Sequence, residues 1–312
     1  MGVTEHRSRV SARAVAALRA GLLLAAACAL AACTPPGPTA SAPGSSGSPS
    51  PSVAAPGSVS ASPLESPGPA ESEGYPVPSD NPTAVATADP PLAGVVVVVD
   101  PGHQLGNRHF PAEISANVDA GMGVRKACNT TGTATPDDVP EATITWGVAQ
   151  ALTAGLESAG AQVVLTRDSD DDALWGPCVD VRGSLANDRA AALVSLHGDG
   201  APSGEYGFHL LVPGPDQATH AESVRLAEAL RARLDAAGLP RATYVADAIR
   251  ASNDYGTLNL SSKPAVIVEM GNLRNASDAA TLTDPAGQLA VAQAVAAGVQ
   301  DFIDDARGGA SS

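Results

Sequence analysis

From about residue 92 onward, short apolar runs alternate with longer stretches of helical spacing. Residues 94–100 read GVVVVVD, a β-branched run with no polar alternation, which predicts a strand buried on both faces. Similar runs at 162–166, 192–196, 207–212 and 265–269 predict further strands. Between them, residues 142–158, 178–191, 219–237 and 288–305 carry apolar positions at helical spacing, with Gly183 interrupting the second. Strands alternating with helices predict an α/β domain: a mostly parallel mixed sheet flanked by helices and joined by right-handed crossovers. No internal repeat is visible.

The first ninety residues follow another pattern. Arg7, Arg9, Arg13 and Arg19 precede an apolar stretch at 20–32, shorter than the roughly 20 residues a membrane span requires, so residues 1–32 read as an export signal. The stretch ends Leu30-Ala31-Ala32-Cys33. This resembles the bacterial lipobox, and the resemblance implies a lipid on Cys33; the alternative is ordinary cleavage at an Ala-x-Ala-like site with Cys33 incidental. Of the 50 residues at 34–83, 37 are Pro, Ser, Gly or Ala. Such a segment cannot bury enough apolar surface to offset its conformational entropy and reads as a disordered tether, reaching about 40 Å as a flexible coil. The expected organisation is a signal at 1–32, a lipidated Cys33 with tether over 33–90, and one domain over 91–312. Such a protein is exported, lipid-anchored to the outer face of the cytoplasmic membrane, and faces the cell wall.

The formal net charge is −15, and residues 91–312 hold 27 acids against 14 Lys and Arg. That balance argues against a nucleic-acid backbone as partner, which needs clustered cations. Two cysteines fall in the domain, Cys128 and Cys178, each in a loop-like stretch. Outside the cytoplasm an even pair more often forms a disulfide than a metal site, and neither has a second Cys or His at ligand spacing. A bridge closing that loop contributes about 3–4 kcal/mol in the chain-entropy treatment.

Candidate chemistry sits at the ends of predicted strands. His103 follows the first in Asp100-Pro101-Gly102-His103, His197 ends the run at 192–196, and Glu269 ends the last. If those strands are parallel, all three emerge at one sheet edge, where ligands bind in open α/β folds. Glu141, after Pro140 at a predicted helix start, can turn its carboxylate toward the same edge. Two imidazoles with one or two carboxylates in a crevice suit a zinc site with an open coordination position. Singly, a His near a strand end is more often a hydrogen-bonded structural residue and a Glu before a helix a dipole-complementing one; it is the joint occurrence that points to a site. His209, alternating inside a strand, and His220, opening a polar helix, read as structural, and His109 stays open. No Gly-rich phosphate loop follows the first strand, which argues against a nucleotide site.

In this order the motifs resemble the zinc-dependent N-acetylmuramoyl-L-alanine amidases of the amidase-3 type, which cleave peptidoglycan. The family's Asp-Pro-Gly-His is matched by residues 100–103, its metal-binding Glu by Glu141, its Thr-Arg by Thr166-Arg167, its Ser-x-His-x-Asn/Asp by Ser195 to Asp199, and its late catalytic Glu by Glu269 with Gly271, Asn272 and Asn275. The resemblance covers about residues 94–307, and the Cys128/Cys178 pair is similar to that of an actinobacterial, disulfide-containing branch. It implies a phosphorylase/hydrolase-like fold, one Zn²⁺ held by His103, Glu141 and His197, and Glu269 as general base in hydrolysis of the bond between N-acetylmuramic acid and L-alanine. Its partner is then the muramoyl peptide of peptidoglycan, with the need for an activator protein left open. Asp199, Arg167 and Asn272, with Asn187 and Arg182 behind them, are the candidates for supporting roles; for Asp199 turn chemistry and for Arg167 an ion pair with Asp168, Asp170 or Asp171 are the simpler readings. The sequence departs from the family in Gln104-Leu105 after the first His and in the long 104–140 segment, either a substrate-contacting loop or an ornament. Two rivals are a catalytically silent peptidoglycan-binding or regulatory lipoprotein and a zinc peptidase acting within the stem peptide.

Overall fold

The computed structural model describes residues 89–185 and 187–309. The expected export signal, Cys33 and nearly all of the expected tether lie outside the described residues. Six strands form the main sheet: β1 (Val96–Pro101), β4 (Gln162–Leu165), β5 (Ala192–Asp199), β6 (His209–Pro213), β7 (Ile249–Ser252) and β8 (Ala265–Asn272). Their order is β4-β1-β5-β8-β6-β7. β4, β1, β5 and β8 are mutually parallel, β6 runs antiparallel to β8, and β7 is parallel to β6.

Side-chain parity sorts the strands onto two faces, as a period of two demands. Val97 and Val99 of β1, Val194 and Leu196 of β5 and Val266 and Val268 of β8 enter one large core. Against it pack α2 (Glu141–Ser158), α4 (His220–Ala236) and α7 (Pro285–Gly309), through residues such as Leu152, Leu230 and Val295. The opposite parity, Val98, Leu193 and Ile267, meets a much smaller cluster with Leu258, under the short helices α3 (Val179–Ser184) and α5 (Gly256–Asn259). One face is therefore thickly covered and the other thinly. Asp100, Ser195, His197 and Glu269 share the parity of the thin face, so the polar residues of three strands collect where the helices leave room.

The helix expected over 178–191 is shorter than its pattern: α3 ends at Ser184. Gly183 lowers helix propensity, and Asn187 turns its side chain out to the 260–262 loop, donating to Leu260 O (2.9 Å) and accepting from Ser262 N (2.6 Å). Segment 104–140 is built rather than loose. It holds α1 (Pro111–Ser115) and a hairpin of β2 (Asn117–Asp119) with β3 (Arg125–Ala127), and the Cys128–Cys178 disulfide ties it to the chain before α3. The remaining helix, α6 (Ala276–Thr283), follows β8 and is capped by Asn275, whose side chain accepts from Ser277 N and Asp278 N.

Candidate functional site

Three ligand-type side chains meet at the C-terminal edge of β1 and β5. Glu141 is the first residue of α2, 3% exposed. Its Oε1 lies 3.1 Å from His103 Nε2 and 2.9 Å from His197 Nδ1 and accepts from Gly198 N at 3.0 Å, while Oε2 accepts from Thr133 N at 2.8 Å. The ligand atoms of His103, Glu141 and His197 all lie within 4.8 Å of one another. Burial works against the charged Glu141 carboxylate, but the facing imidazoles, His103 foremost, hold its pKa well below the usual range.

His103 is oriented from behind. Its Nδ1 lies 3.1 Å from Thr130 O and 3.2 Å from Thr130 Oγ1, and a proton held on Nδ1 by that carbonyl makes Nε2 the nitrogen available to a metal. His103 itself has φ +59, a left-handed backbone that costs a non-Gly residue energy and is held only by its surroundings. Two glycines make the crowding possible. A Cβ on Gly102 would strike the His197 ring, and one on Gly132 (φ +75) would lie 2.6 Å from Glu141 Oε2 and 2.8 Å from His103 Cδ2.

Beneath the ligands lies a buried ion pair. Arg182 Nη1 donates to Asp100 Oδ1 at 2.5 Å and to Pro101 O at 2.8 Å, while Nη2 donates to His103 O at 2.6 Å. Ser195 and Thr166 hydroxyls also donate to Asp100. Burial pushes the Asp100 carboxyl up, but Arg182 and the two hydroxyls override it and hold its pKa at about 2. Arg182, one of five residues with suggested support in the sequence, thus clamps the backbone on both sides of the Pro-Gly step leading to His103.

Glu269 stands beside His197, its direct partner in the β5–β8 register. It lines the same cavity, about 720 Å³, as His103, Glu141 and His197. Its Oε2 is shielded from solvent and has no hydrogen-bond partner among the described residues. Burial, then the charges of Glu141 and Asp199, push its pKa well above the usual carboxylate range. Such a carboxylate is poised to take a proton. Two imidazole nitrogens and a carboxylate converging beside an orphaned carboxylate oxygen fit a divalent metal of borderline softness.

The supporting candidates separate. Asp199 lines the cavity and accepts from Tyr244 OH at 2.9 Å and from Gly200 N at 2.6 Å, combining turn chemistry with a place at the site. Arg167 turns away: it donates to Pro101 O (3.0 Å) and Ala142 O (2.7 Å), pairs with Asp170 at 3.1 Å and stacks on Trp146. Asn272 is buried and donates to Pro202 O and Glu205 O, shaping the loop after β5. His109 pairs with Asp172 on the surface, His220 bonds Pro213 O, and buried His209 packs edge-on against Tyr244. Thr130, Gly132 and Thr133 back the ligands although no residue-type signal marks them; only the glycine between threonines hints at a tight approach.

A family model described as N-acetylmuramoyl-L-alanine amidase matches residues 97–301. A curated N-acetylmuramoyl-L-alanine amidase of Mycobacterium tuberculosis is 39% identical over 216 residues, 68% of this chain and 88% of that protein. Among solved structures, the N-acetylmuramyl-L-alanine amidase Ami1 of Mycobacterium smegmatis superposes with a TM-score of 0.65 at 37% identity, covering 69% of this chain and 99% of that one. Ami1 of Mycobacterium abscessus gives 0.64 at 39% identity, covering 68% and 99%.

Proposed function

The chain belongs to the N-acetylmuramoyl-L-alanine amidase family, and on that footing we propose that it is a zinc enzyme cleaving the amide between the lactyl group of N-acetylmuramic acid and L-alanine in peptidoglycan. The observation that carries this reading is the convergence of His103, Glu141 and His197 in one cavity with the unpartnered Glu269. Zinc held by those three residues supplies Lewis-acid polarisation of the carbonyl and acidifies an attacking water.

The chain's own residues supply the rest. Glu269 Oε2 takes the proton from the attacking water and returns it to the departing alanine nitrogen, and its raised pKa matches both halves of that task. Glu141, anchored by Gly198 N and Thr133 N, keeps the two imidazoles apart and correctly turned. Thr130 O holds the proton on the far nitrogen of His103. Supporting roles for Asp199, Arg167 and Asn272 reduce to holding the walls of the site.

The proposed setting is the cell-wall side of a membrane, reached by the signal at 1–32 and held by lipid on Cys33 and the tether to residue 90. Among the described residues no helix is long and apolar enough to cross a membrane. The test uses the purified chain loaded with zinc: metal per chain, and mass analysis of muropeptides after incubation with wild type and Glu269→Ala. One zinc with free stem peptides released by wild type alone supports the reading. Cleavage inside the stem gives a peptidase instead, and zinc binding without any cleavage gives a binding protein.

A further inference from the structure

The cavity that holds the ligands is also lined by three cations, Arg125, Lys126 and Arg182, in a chain of net charge −15. Two of them face a carboxylate. Arg182 is buried and saturated by Asp100 and backbone carbonyls. Lys126 lies 3.6 Å from Asp254 Oδ1 across the cleft rim. Arg125 is different: it is exposed, and among the described residues its side chain makes one hydrogen bond, from Nη2 to Asn117 O at 2.5 Å, and ion-pairs with no carboxylate. Its cross-strand neighbour Asp119 is turned aside, accepting from Gly121 N at 3.0 Å.

We propose that Arg125 is the anchoring residue for a free carboxylate of the stem peptide, and so sets the substrate's direction across the site and a preference for acidic over amidated stems. The inference rests on the amidase reading above. A guanidinium with most of its N–H fork unused matches a planar carboxylate in a way a lysine does not. The residue is also firmly placed relative to the ligands. Three residues on, Cys128 is bridged to Cys178, its N–H donates to Ala116 O, and Thr130 then backs His103. The same short segment that orients a metal ligand therefore carries the unpaired cation. A stem peptide joined through the side-chain carboxyl of its second residue leaves the α-carboxylate free, and where that group is amidated the charge is gone.

The experiment compares two soluble muramoyl peptides that differ only in whether that α-carboxyl is free or amidated, with zinc-loaded wild type, Arg125→Ala and Arg125→Lys. For wild type the carboxylate substrate has the higher kcat/KM, by about five- to tenfold. Arg125→Ala loses that preference through KM, with kcat held and the amide substrate unaffected, while Arg125→Lys recovers part of it. Added salt raises KM for the carboxylate substrate with wild type and leaves the alanine variant flat. A merely structural Arg125 would weaken both substrates alike. Equal effects on the two substrates, or no effect, overturn the assignment while wild-type cleavage leaves the amidase reading standing. Failure of wild type to cleave either substrate overturns both.

Discussion

The buried Arg182–Asp100 pair offers the sharpest test of how the site is held. In Arg182→Met the Asp100 carboxylate keeps its bonds from Ser195 and Thr166 but loses its counter-charge at 0% exposure. Removing one partner of a buried pair costs about 3–5 kcal/mol, more than the pair itself is worth, because a charge is left uncompensated. For a domain of about 220 residues the entropy of unfolding converts this into a fall in Tm of roughly 6–11 °C. The pH dependence follows from the depressed pKa of about 2. A carboxyl below its unfolded value of 3.8 stabilises fully above that value and loses its contribution as pH falls toward about 2. Calorimetry of wild type and variant at pH 7 and down to pH 2.5 checks both: the Tm gap is full at neutral pH and narrows below pH 4. Arg182→Met with Asp100→Asn recovers part of the loss, because the orphaned charge is gone. A Tm fall below 2 °C at pH 7, or a gap independent of pH, would refute the reasoning.

Three further outcomes are expected. Glu269→Gln keeps its zinc by metal analysis, drops turnover by about 10²–10⁴, and raises the Tm of the metal-free protein, since a carboxylate whose ionisation burial opposes is replaced by a neutral amide. Gly132→Ala, with its Cβ meeting Glu141 and His103, weakens zinc binding by about 10–100-fold in a chelator competition and, because φ +75 is strained for alanine, lowers the chelated protein's Tm as well. Cys128→Ser with Cys178→Ser opens a loop of sequence separation 50 and lowers unfolding free energy by about 3–4 kcal/mol in denaturant titration, a loss that reductant reproduces in wild type and not in the variant.

The parts legible in the sequence were those set by local pattern. Short apolar runs, β-branched in β1 and β8, marked β1, β5 and β8, and residues closing those runs, His197 and Glu269, emerge at one edge once the strands are parallel. Pro140 before Glu141 gave the turn that aims its carboxylate. What stayed hidden depends on distant partners. The Arg182–Asp100 contact joins residues 82 apart, and nothing local distinguishes it from a surface arginine. β7 is a four-residue edge strand with exposed Arg250 and Ala251, too polar for its run to stand out. The strands of the β2–β3 hairpin are three residues each, too short for alternation to mark them, and the helix over 178–191 ends early where Asn187 finds partners in another loop.

The strand order has a temporal consequence. β8 is the last strand in the chain yet lies between β5 and β6, so a chain emerging from its N-terminus can join β4, β1 and β5 but has nothing to seat β6 and β7 against until residues 265–272 arrive. His103, Glu141 and His197 lie upstream of that point and Glu269 lies within it. The side chains proposed to hold zinc thus stand on elements that precede β8, whereas the proposed base is seated only with that strand, so the proposed hydrolysis needs the whole sheet.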